Sequence, residues 1–302
     1  MVPHVTSLAT GLLLAAYLRR ETQTLSISRT DVFITGLPEP WSGVRIGLLS
    51  DLHGRPGDFG GQVTGELRRA QVELIAVVGD FVHRRAAEIE RVSPLIRDLQ
   101  TVAPTYVVSG NHDHSAGWPS IAAHLTRAGA TVLDNRHVRL EKAGKTLVLA
   151  GVADPYSGRD RLDQALHAVP AGPIVLLAHA PTWFAAPSHR NQNHQPPLLS
   201  RVALTLAGHT HGGQVRLPVL GVVSTASGRL FPRTHIQGLS REGGGWLYIT
   251  RGLGQGSSLP LRLGARPELA VITLRAGPVA APSAGKDGKV AVSGQTPRSV
   301  SG

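Results

Sequence analysis

Polar residues that can bind metal ions follow a series of short apolar runs in this chain of 302 residues. The apolar runs cover residues 44–49, 74–78, 106–108, 174–177 and 202–206. The polar groups that follow them contain Asp51, His53, Asp80, Asn111, His112, Asp113, His179, His209 and His211. Open α/β sheets build their sites from residues at the carboxyl ends of strands. The pattern therefore predicts an α/β fold with a site along one edge of a sheet.

The intervals between these groups support parallel strands. Asp51, Asp80 and Asn111 follow one another at intervals of about 30 residues, which is roughly the length of one βαβ unit. His179 and His209 are separated by a similar interval. Helices are predicted between the strands at residues 61–71, 85–100, 117–128 and 160–168. From about residue 203 onward, strand-like segments joined by Gly- and Pro-rich turns predict a second, more antiparallel layer.

The composition excludes several kinds of chemistry. The chain has no cysteine, so disulfides, cysteine zinc sites and thiol catalysis are excluded. Its formal charge is +11, and the basic residues are mainly arginine, which suits phosphate groups, anionic lipid or nucleic acid. A basic solvated surface is the alternative explanation. Aromatic residues make up 4% of the chain, which disfavours base stacking as the main binding device.

The chain divides into three parts. Residues 1–21 form a hydrophobic head, interpreted as an N-terminal membrane anchor or a helix, with Arg19 and Arg20 on the cytoplasmic side. Residues 22–275 form the main domain. Residues 276–302 are rich in Gly, Ala, Ser and Pro, which predicts a disordered tail.

The donor set favours transition metals. Imidazole combined with carboxylate and amide oxygen suits Zn, Mn or Fe better than Ca or Mg. Two ions about 3.5–4 Å apart need a bridging anion, which a carboxylate can supply. Asp80 is central in the chain order and is the candidate bridge.

The motifs resemble those of the calcineurin-like metallophosphoesterases. The family pattern D-x-H, GDxxD, GNH[DE], H, GHxH is matched in order by residues 51–53, 79–80, 110–113, 179 and 208–211. Residues 208–214 and 251–254 are similar to the membrane-associated YkuE-like branch, which includes lipid-linked pyrophosphatases. The resemblance covers about residues 22–275. It implies a four-layer α/β/β/α sandwich with a dimetal site at the carboxyl ends of the strands.

The resemblance also implies roles for individual residues. One divalent ion would be held by Asp51, His53, Asp80 and His211. The other would be held by Asp80, Asn111, His179 and His209. His112 would contact the phosphate and protonate the leaving group, and Asp113 would orient it or simply cap a turn.

Three arginines follow the GHxH segment. Arg216 and Arg251 are candidates for substrate binding together with Asn111 and His112. Arg262 is a further candidate for a phosphate clamp. A solvated surface position is the alternative for all three arginines.

One residue departs from the family pattern. His83 stands where the second Asp of GDxxD is usual. It could accept a hydrogen bond from a neighbour, bind substrate or lie on the surface.

These observations predict a metal-dependent phosphoesterase. A hydroxide bridging two Mn, Zn or Fe ions would attack phosphorus in line, and the substrate would be a phosphorylated small molecule or a lipid-linked one such as UDP-2,3-diacylglucosamine. The alternatives are a phosphodiesterase or nuclease acting on soluble phosphodiesters, or a non-catalytic metal-containing binding protein. The expected location is membrane-associated at the cytoplasmic face, with export as the alternative, and nucleic acid is not an expected partner.

Overall fold

A computed structural model describes residues 3–184, 196–217, 219–224, 236–242, 244–256 and 260–277. Almost all of the tail predicted to be disordered, residues 276–302, lies outside these ranges, so that interpretation stays a prediction.

The first sheet carries the amino-terminal half of the site. Its strands, in chain order, are β1 (Ser26–Ile34), β2 (Arg45–Leu49), β3 (Leu74–Val78), β4 (Thr105–Val108), β5 (Thr131–Val132) and β14 (Glu268–Ala276). Their spatial order is β1-β14-β2-β3-β4-β5. Strands β2 to β5 pair in parallel, so their carboxyl ends meet at one edge. Strand β14 runs parallel to β1 and antiparallel to β2.

The second sheet carries the carboxyl-terminal half of the site. Its strands are β6 (Arg136–Lys142), β7 (Lys145–Gly151), β8 (Ile174–Leu177), β9 (Val202–Ala207), β12 (Gly238–Glu242) and β13 (Gly245–Ile249). Their spatial order is β12-β13-β9-β8-β7-β6. Strands β7, β8, β9 and β13 are mutually parallel. A separate antiparallel pair consists of β10 (Val215–Leu217) and β11 (Gly221–Ser224).

Seven helices lie within the described ranges, and several of them cover the outer faces of the two sheets. They are α1 (Pro3–Gln23), α2 (Gln62–Arg69), α3 (Ile89–Gln100), α4 (Asn111–Ala116), α5 (Trp118–Arg127), α6 (Leu162–Ala165) and α7 (Pro196–Leu199). The apolar faces of α2, α3 and α5 pack on the outer side of the first sheet. Helix α6 packs on the outer side of the second sheet. A third apolar core lies between the two sheets, so the predicted four-layer α/β/β/α sandwich is confirmed.

The hydrophobic head forms helix α1, and its carboxyl end belongs to the domain. The Glu21 carboxylate is buried and accepts hydrogen bonds from Arg266 Nε at 2.6 Å and from the Gly264 N–H at 3.3 Å. Thr22 Oγ1 accepts from the Arg262 N–H at 2.9 Å. The charged and polar residues from Arg19 onward thus end the apolar stretch before helix α1 itself ends.

The expected membrane location is contradicted. Within the described ranges, no helix has both the length and the apolar character needed to cross a membrane. From Pro3 onward the predicted head lies in helix α1, whose last turn is tied to the domain.

Two features of the topology differ from the sequence prediction. The described strands from β9 onward do not form a separate antiparallel layer, because β9 and β13 extend the parallel part of the second sheet and β14 returns to the first. Antiparallel pairing in this part is confined to β10–β11, β12–β13 and the contact of β14 with β2. The antiparallel hairpin β6–β7 was not predicted. Its outer strand is half-exposed, with alternating charged residues, and therefore lacks an apolar run.

Candidate metal centre

The carboxyl ends of the strands turn sharply into the site. Asp51, His53, Asp80, His209 and His211 all have positive φ angles, between 49° and 70°. This left-handed conformation is uncommon for residues with a side chain and is concentrated at functional sites. It turns each side chain from the end of its strand into the cleft between the two sheets.

Glycines allow the chain to pack closely against the ligand residues at these turns. A Cβ atom on Gly208 would lie 2.7 Å from Asp51 Oδ2, and one on Gly110 would lie 2.5 Å from the Asp80 nitrogen. The glycines of the GNH and GHxH motifs are therefore required by close packing against the ligand carboxylates.

The first ligand group consists of Asp51, His53 and His211, all of which are buried. The two histidine Nε2 atoms are 3.1 Å apart. His211 Nε2 is 3.4 Å and His53 Nε2 is 3.9 Å from Asp51 Oδ1. The other carboxylate oxygen of Asp51 accepts the His209 N–H at 3.1 Å, which fixes the orientation of the carboxylate.

The second ligand group consists of Asp80, His179 and His209, which are also buried. His179 Nε2 lies 3.2 Å from Asp80 Oδ2 and 3.2 Å from His209 Nδ1. His179 Nδ1 donates to the Val78 carbonyl at 2.8 Å, which leaves Nε2 to face the site.

Asp80 connects the two groups. Its Oδ2 atom is 3.2 Å from His179 Nε2 in the second group and 3.7 Å from His53 Nε2 in the first. Its Oδ1 atom accepts the His112 N–H at 2.9 Å. The position of Oδ2 between the two groups is the one that a bridging carboxylate requires.

The side chains fit a pair of divalent ions. Two donor atoms about 2.1 Å from the same ion, at tetrahedral or octahedral angles, stand roughly 3.0–3.4 Å apart. Four of the donor separations, at 3.1–3.4 Å, agree with this, and the His53–Asp51 separation of 3.9 Å is somewhat longer. In addition, the buried oxygens Asp51 Oδ1 and Asn111 Oδ1 have no hydrogen-bond partner among the described residues. Buried acceptors without partners are costly unless a cation or water satisfies them.

The electrostatics keep most of the imidazoles neutral. Burial lowers the pKa of His53 and His209 to about 3 and holds the pKa of His211 well below its usual value. Burial also raises the pKa of Asp51 to about 6. Burial disfavours an ionised Asp80, but the adjacent His179 outweighs it and holds the pKa of Asp80 well below the usual range. Neutral imidazole and ionised carboxylate are the forms that bind metal.

His112 lies beside both ligand groups in a fixed orientation. Its Nδ1–H donates to the His83 carbonyl at 2.6 Å, and its ring meets the His53 ring edge-on with centroids 4.8 Å apart. Nε2 is therefore the ring nitrogen left available for a substrate.

Asp113 has a different role from the expected orientation of His112. Its carboxylate is buried and accepts N–H groups of Asp80 at 2.8 Å, Gly110 at 2.9 Å and Val82 at 3.1 Å. The orienting partner of His112 is the His83 carbonyl, so the expectation for Asp113 is corrected in favour of the cap. Through these bonds Asp113 holds the turns of β3 and β4 together.

His83 lies beside the first ligand group. Its Nδ1 atom is 3.3 Å from His53 Nδ1, and its ring stacks on the His112 ring with centroids 5.0 Å apart. A neutral His83 can accept a hydrogen bond from the His53 Nδ1–H, which leaves His53 Nε2 free to bind metal. This geometry matches the first of the three alternatives, acceptance of a hydrogen bond from a neighbour.

The three arginines are placed differently from one another. Arg262 is fully buried, and its guanidinium donates to the carbonyls of His211, Arg251, Gly254 and Ala265. The expectation of a phosphate clamp or a solvated surface position at Arg262 is therefore wrong.

Arg251 is engaged inside the domain. Its guanidinium donates to the Arg266 carbonyl and to Ser26 Oγ, and it lies 3.5 Å from Glu268. Arg216 is half-buried in β10. Phosphate contacts by Arg216 and Arg251 remain predictions.

Two residues near the site were not found from the sequence. The ring of Tyr156 lies 4.8 Å from the His209 ring and is partly exposed. The Glu88 carboxylate accepts the N–H groups of His83 at 2.7 Å and Arg84 at 3.2 Å, which holds the loop that orients His112. Neither residue belongs to a motif, so only long-range packing reveals them.

Comparisons with known proteins agree with this geometry. The family model of the calcineurin-like phosphoesterases matches residues 44–213. The chain is 31% identical over 206 residues to the phosphodiesterase YaeI of Escherichia coli, covering 67% of this chain and 70% of that protein. It is 30% identical over 253 residues to the uncharacterized metallophosphoesterase YkoQ of Bacillus subtilis, and the match covers 82% of this chain and 87% of that protein. It is 29% identical over 214 residues to the uncharacterized metallophosphoesterase YkuE of the same organism, and the match covers 69% of this chain and 70% of that protein.

The matched region contains the ligands from Asp51 to His211 and both halves of the site. The chain therefore belongs to the calcineurin-like phosphoesterase family and is a metal-dependent phosphoester hydrolase.

Proposed function

We propose that the chain hydrolyses a phosphoester or pyrophosphate bond with two divalent ions, Mn, Zn or Fe. In this proposal Asp51, His53, Asp80 and His211 hold one ion. Asp80, Asn111, His179 and His209 hold the other. The observation that carries the proposal is the position of Asp80 Oδ2, within 3.7 Å of an imidazole from each ligand group.

Two bound ions supply a hydroxide nucleophile near neutral pH and neutralise charge on the phosphoryl oxygens. The chain supplies positions and a proton. Asp80 Oδ1 holds the His112 main chain, and the His83 carbonyl holds the His112 Nδ1–H. His112 Nε2 can then carry the proton that the leaving oxygen needs. Asn111 and His112, with Arg216 and Arg251, are proposed to contact the phosphate.

The proposed substrate is lipid-linked, such as UDP-2,3-diacylglucosamine. Its support is the sequence resemblance to the branch that contains lipid-linked pyrophosphatases. A soluble phosphodiester is the second candidate, and the similarity to a protein named as a phosphodiesterase favours it.

One experiment separates these candidates. Metal-stripped protein is assayed with bis-p-nitrophenyl phosphate and with UDP-2,3-diacylglucosamine, before and after the addition of Mn, Zn or Fe. Asp80→Asn and His112→Ala are tested beside Asp163→Asn and His167→Ala, which change exposed residues of the same types.

We expect metal-restored turnover that both site variants lose and both control variants keep. The preferred substrate then decides between the lipid-linked and the soluble candidate. Tight metal binding without turnover of either substrate would contradict the proposed hydrolysis and favour a binding protein.

A further inference from the structure

A cavity of about 750 Å³ lies between helix α1 and two loops at the metal centre. Helix α1 contributes Ala15, Leu18, Arg19, Thr22 and Gln23 to its wall. The loop after His53 contributes residues 55–57, 59 and 60, and residues 253, 255, 260 and 261 contribute the remainder. This volume is within the range of small-molecule sites, roughly 300–1,000 Å³.

The cavity adjoins the ligands directly. Arg55 in its wall lies two residues after His53. Gln255 in its wall precedes Gly256, where a Cβ atom would stand 2.5 Å from His211 Nε2. Two of the segments that line the cavity thus lie next to the first ligand group.

These segments are also bonded to the ligand loop. The Leu253 N–H donates to the Ser50 carbonyl at 2.9 Å, and the Gly254 N–H donates to the Asp51 carbonyl at 2.7 Å. These bonds hold one side of the cavity against the loop that carries Asp51.

The lining combines apolar surface with positive charge. Leu18, Phe59 and Leu253 are among its apolar side chains, and Arg19 and Arg55 supply guanidinium groups. An apolar cavity with a few charged groups suits a ligand that has a hydrophobic part and an anionic part.

We propose that this cavity binds the hydrophobic substituent of the phosphoester substrate, with helix α1 as one wall. The inference rests on the proposed function, because it places the phosphate at the metal centre and the hydrophobic group beside it. The hydrophobic head of the chain then serves as part of the substrate site.

The test uses two probes, octyl phosphate and ethyl phosphate, bound to the full-length manganese-loaded protein and measured by calorimetry. Each methylene removed from water improves affinity roughly fourfold. Partial burial of the six additional methylenes predicts a preference for octyl phosphate of at least ~100-fold.

Substitutions on one helix provide matched variants. Leu18→Trp fills the cavity, and Leu13→Trp makes the same change at an exposed position of α1 outside it. We expect Leu18→Trp to reduce the preference to a few-fold without changing affinity for ethyl phosphate, and Leu13→Trp to behave as wild type. Ala15→Trp fills the cavity from an exposed position and gives the same result without disturbing the core.

Equal binding of both probes by the wild-type protein would overturn the inference. So would equal effects of the tryptophan substitutions inside and outside the cavity. Hydrolysis of bis-p-nitrophenyl phosphate in the same preparations separates the two proposals. Turnover without an octyl preference refutes the cavity, whereas an octyl preference without turnover refutes the proposed hydrolysis.

Discussion

The buried Arg262 provides the sharpest test of how the domain supports its metal centre. Its guanidinium donates to four main-chain carbonyls, those of His211, Arg251, Gly254 and Ala265. These carbonyls belong to the GHxH turn and to the loop beside the cavity. We predict that Arg262→Met destabilises the whole chain rather than weakening phosphate binding alone.

The magnitude follows from the hydrogen bonds lost. The His211 carbonyl keeps a second donor, the Gln214 N–H at 3.0 Å, so three carbonyls lose the bond that Arg262 gives them. At roughly 1–3 kcal/mol for each buried group left unpaired, the loss is about 3–9 kcal/mol. Removal of a buried charge relieves part of this, so we expect a net loss of about 3–6 kcal/mol.

The assay is thermal and chemical denaturation of metal-free protein, since bound metal would add its own stabilisation. A loss of this size should lower the melting temperature by roughly 10 °C. Arg20→Met is the control, because Arg20 is exposed on α1. A melting temperature within about 1 °C of the control, a small fraction of the expected shift, would refute this account. An unchanged melting temperature together with a raised KM would instead indicate that Arg262 contacts the phosphate.

Three further predictions concern the ligands. Gly208→Ala keeps every ligand but brings a Cβ atom within 2.7 Å of Asp51 Oδ2, so the measured metal content should fall, while Gly11→Ala, which has open space, keeps the wild-type content. His83→Ala should weaken metal binding in chelator competition by about 10–100-fold, because His53 loses the group that orients it, and His83→Asp should restore it; affinities within twofold of wild type would show that His83 is dispensable. Burial raises the pKa of Asp51 from 3.8 to about 6. Between these two pH values the native metal-free state therefore binds more protons than the unfolded state. The stability supplied by the protonated carboxyl is therefore lost as pH rises through 6; Asp51→Asn should remove this part of the pH dependence, and identical profiles for both proteins would contradict it.

The fold class and most of the site follow from the amino-acid sequence alone. Apolar runs ending in polar residues at intervals of about 30 residues are a local pattern, and parallel strands bring their carboxyl ends together whatever their order in the sheet. Asp51, Asp80, His179 and His209 can therefore be placed at one edge from their positions in the chain. The match to five motifs in order then indicates the family.

Other features arise only from long-range packing in the folded domain. The order of the strands within each sheet depends on how the two sheets share one core. The return of β14 to the first sheet depends on the same packing. Arg262 is an ordinary arginine in sequence, and only the folded loops surround it with carbonyls. Contacts between segments far apart in the chain also determine three features of the site. They are the role of Asp113 as a cap, the position of His83 against His53 and the contribution of α1 to the cavity wall. Such contacts cannot be predicted from local sequence, because they form only when the whole domain is packed.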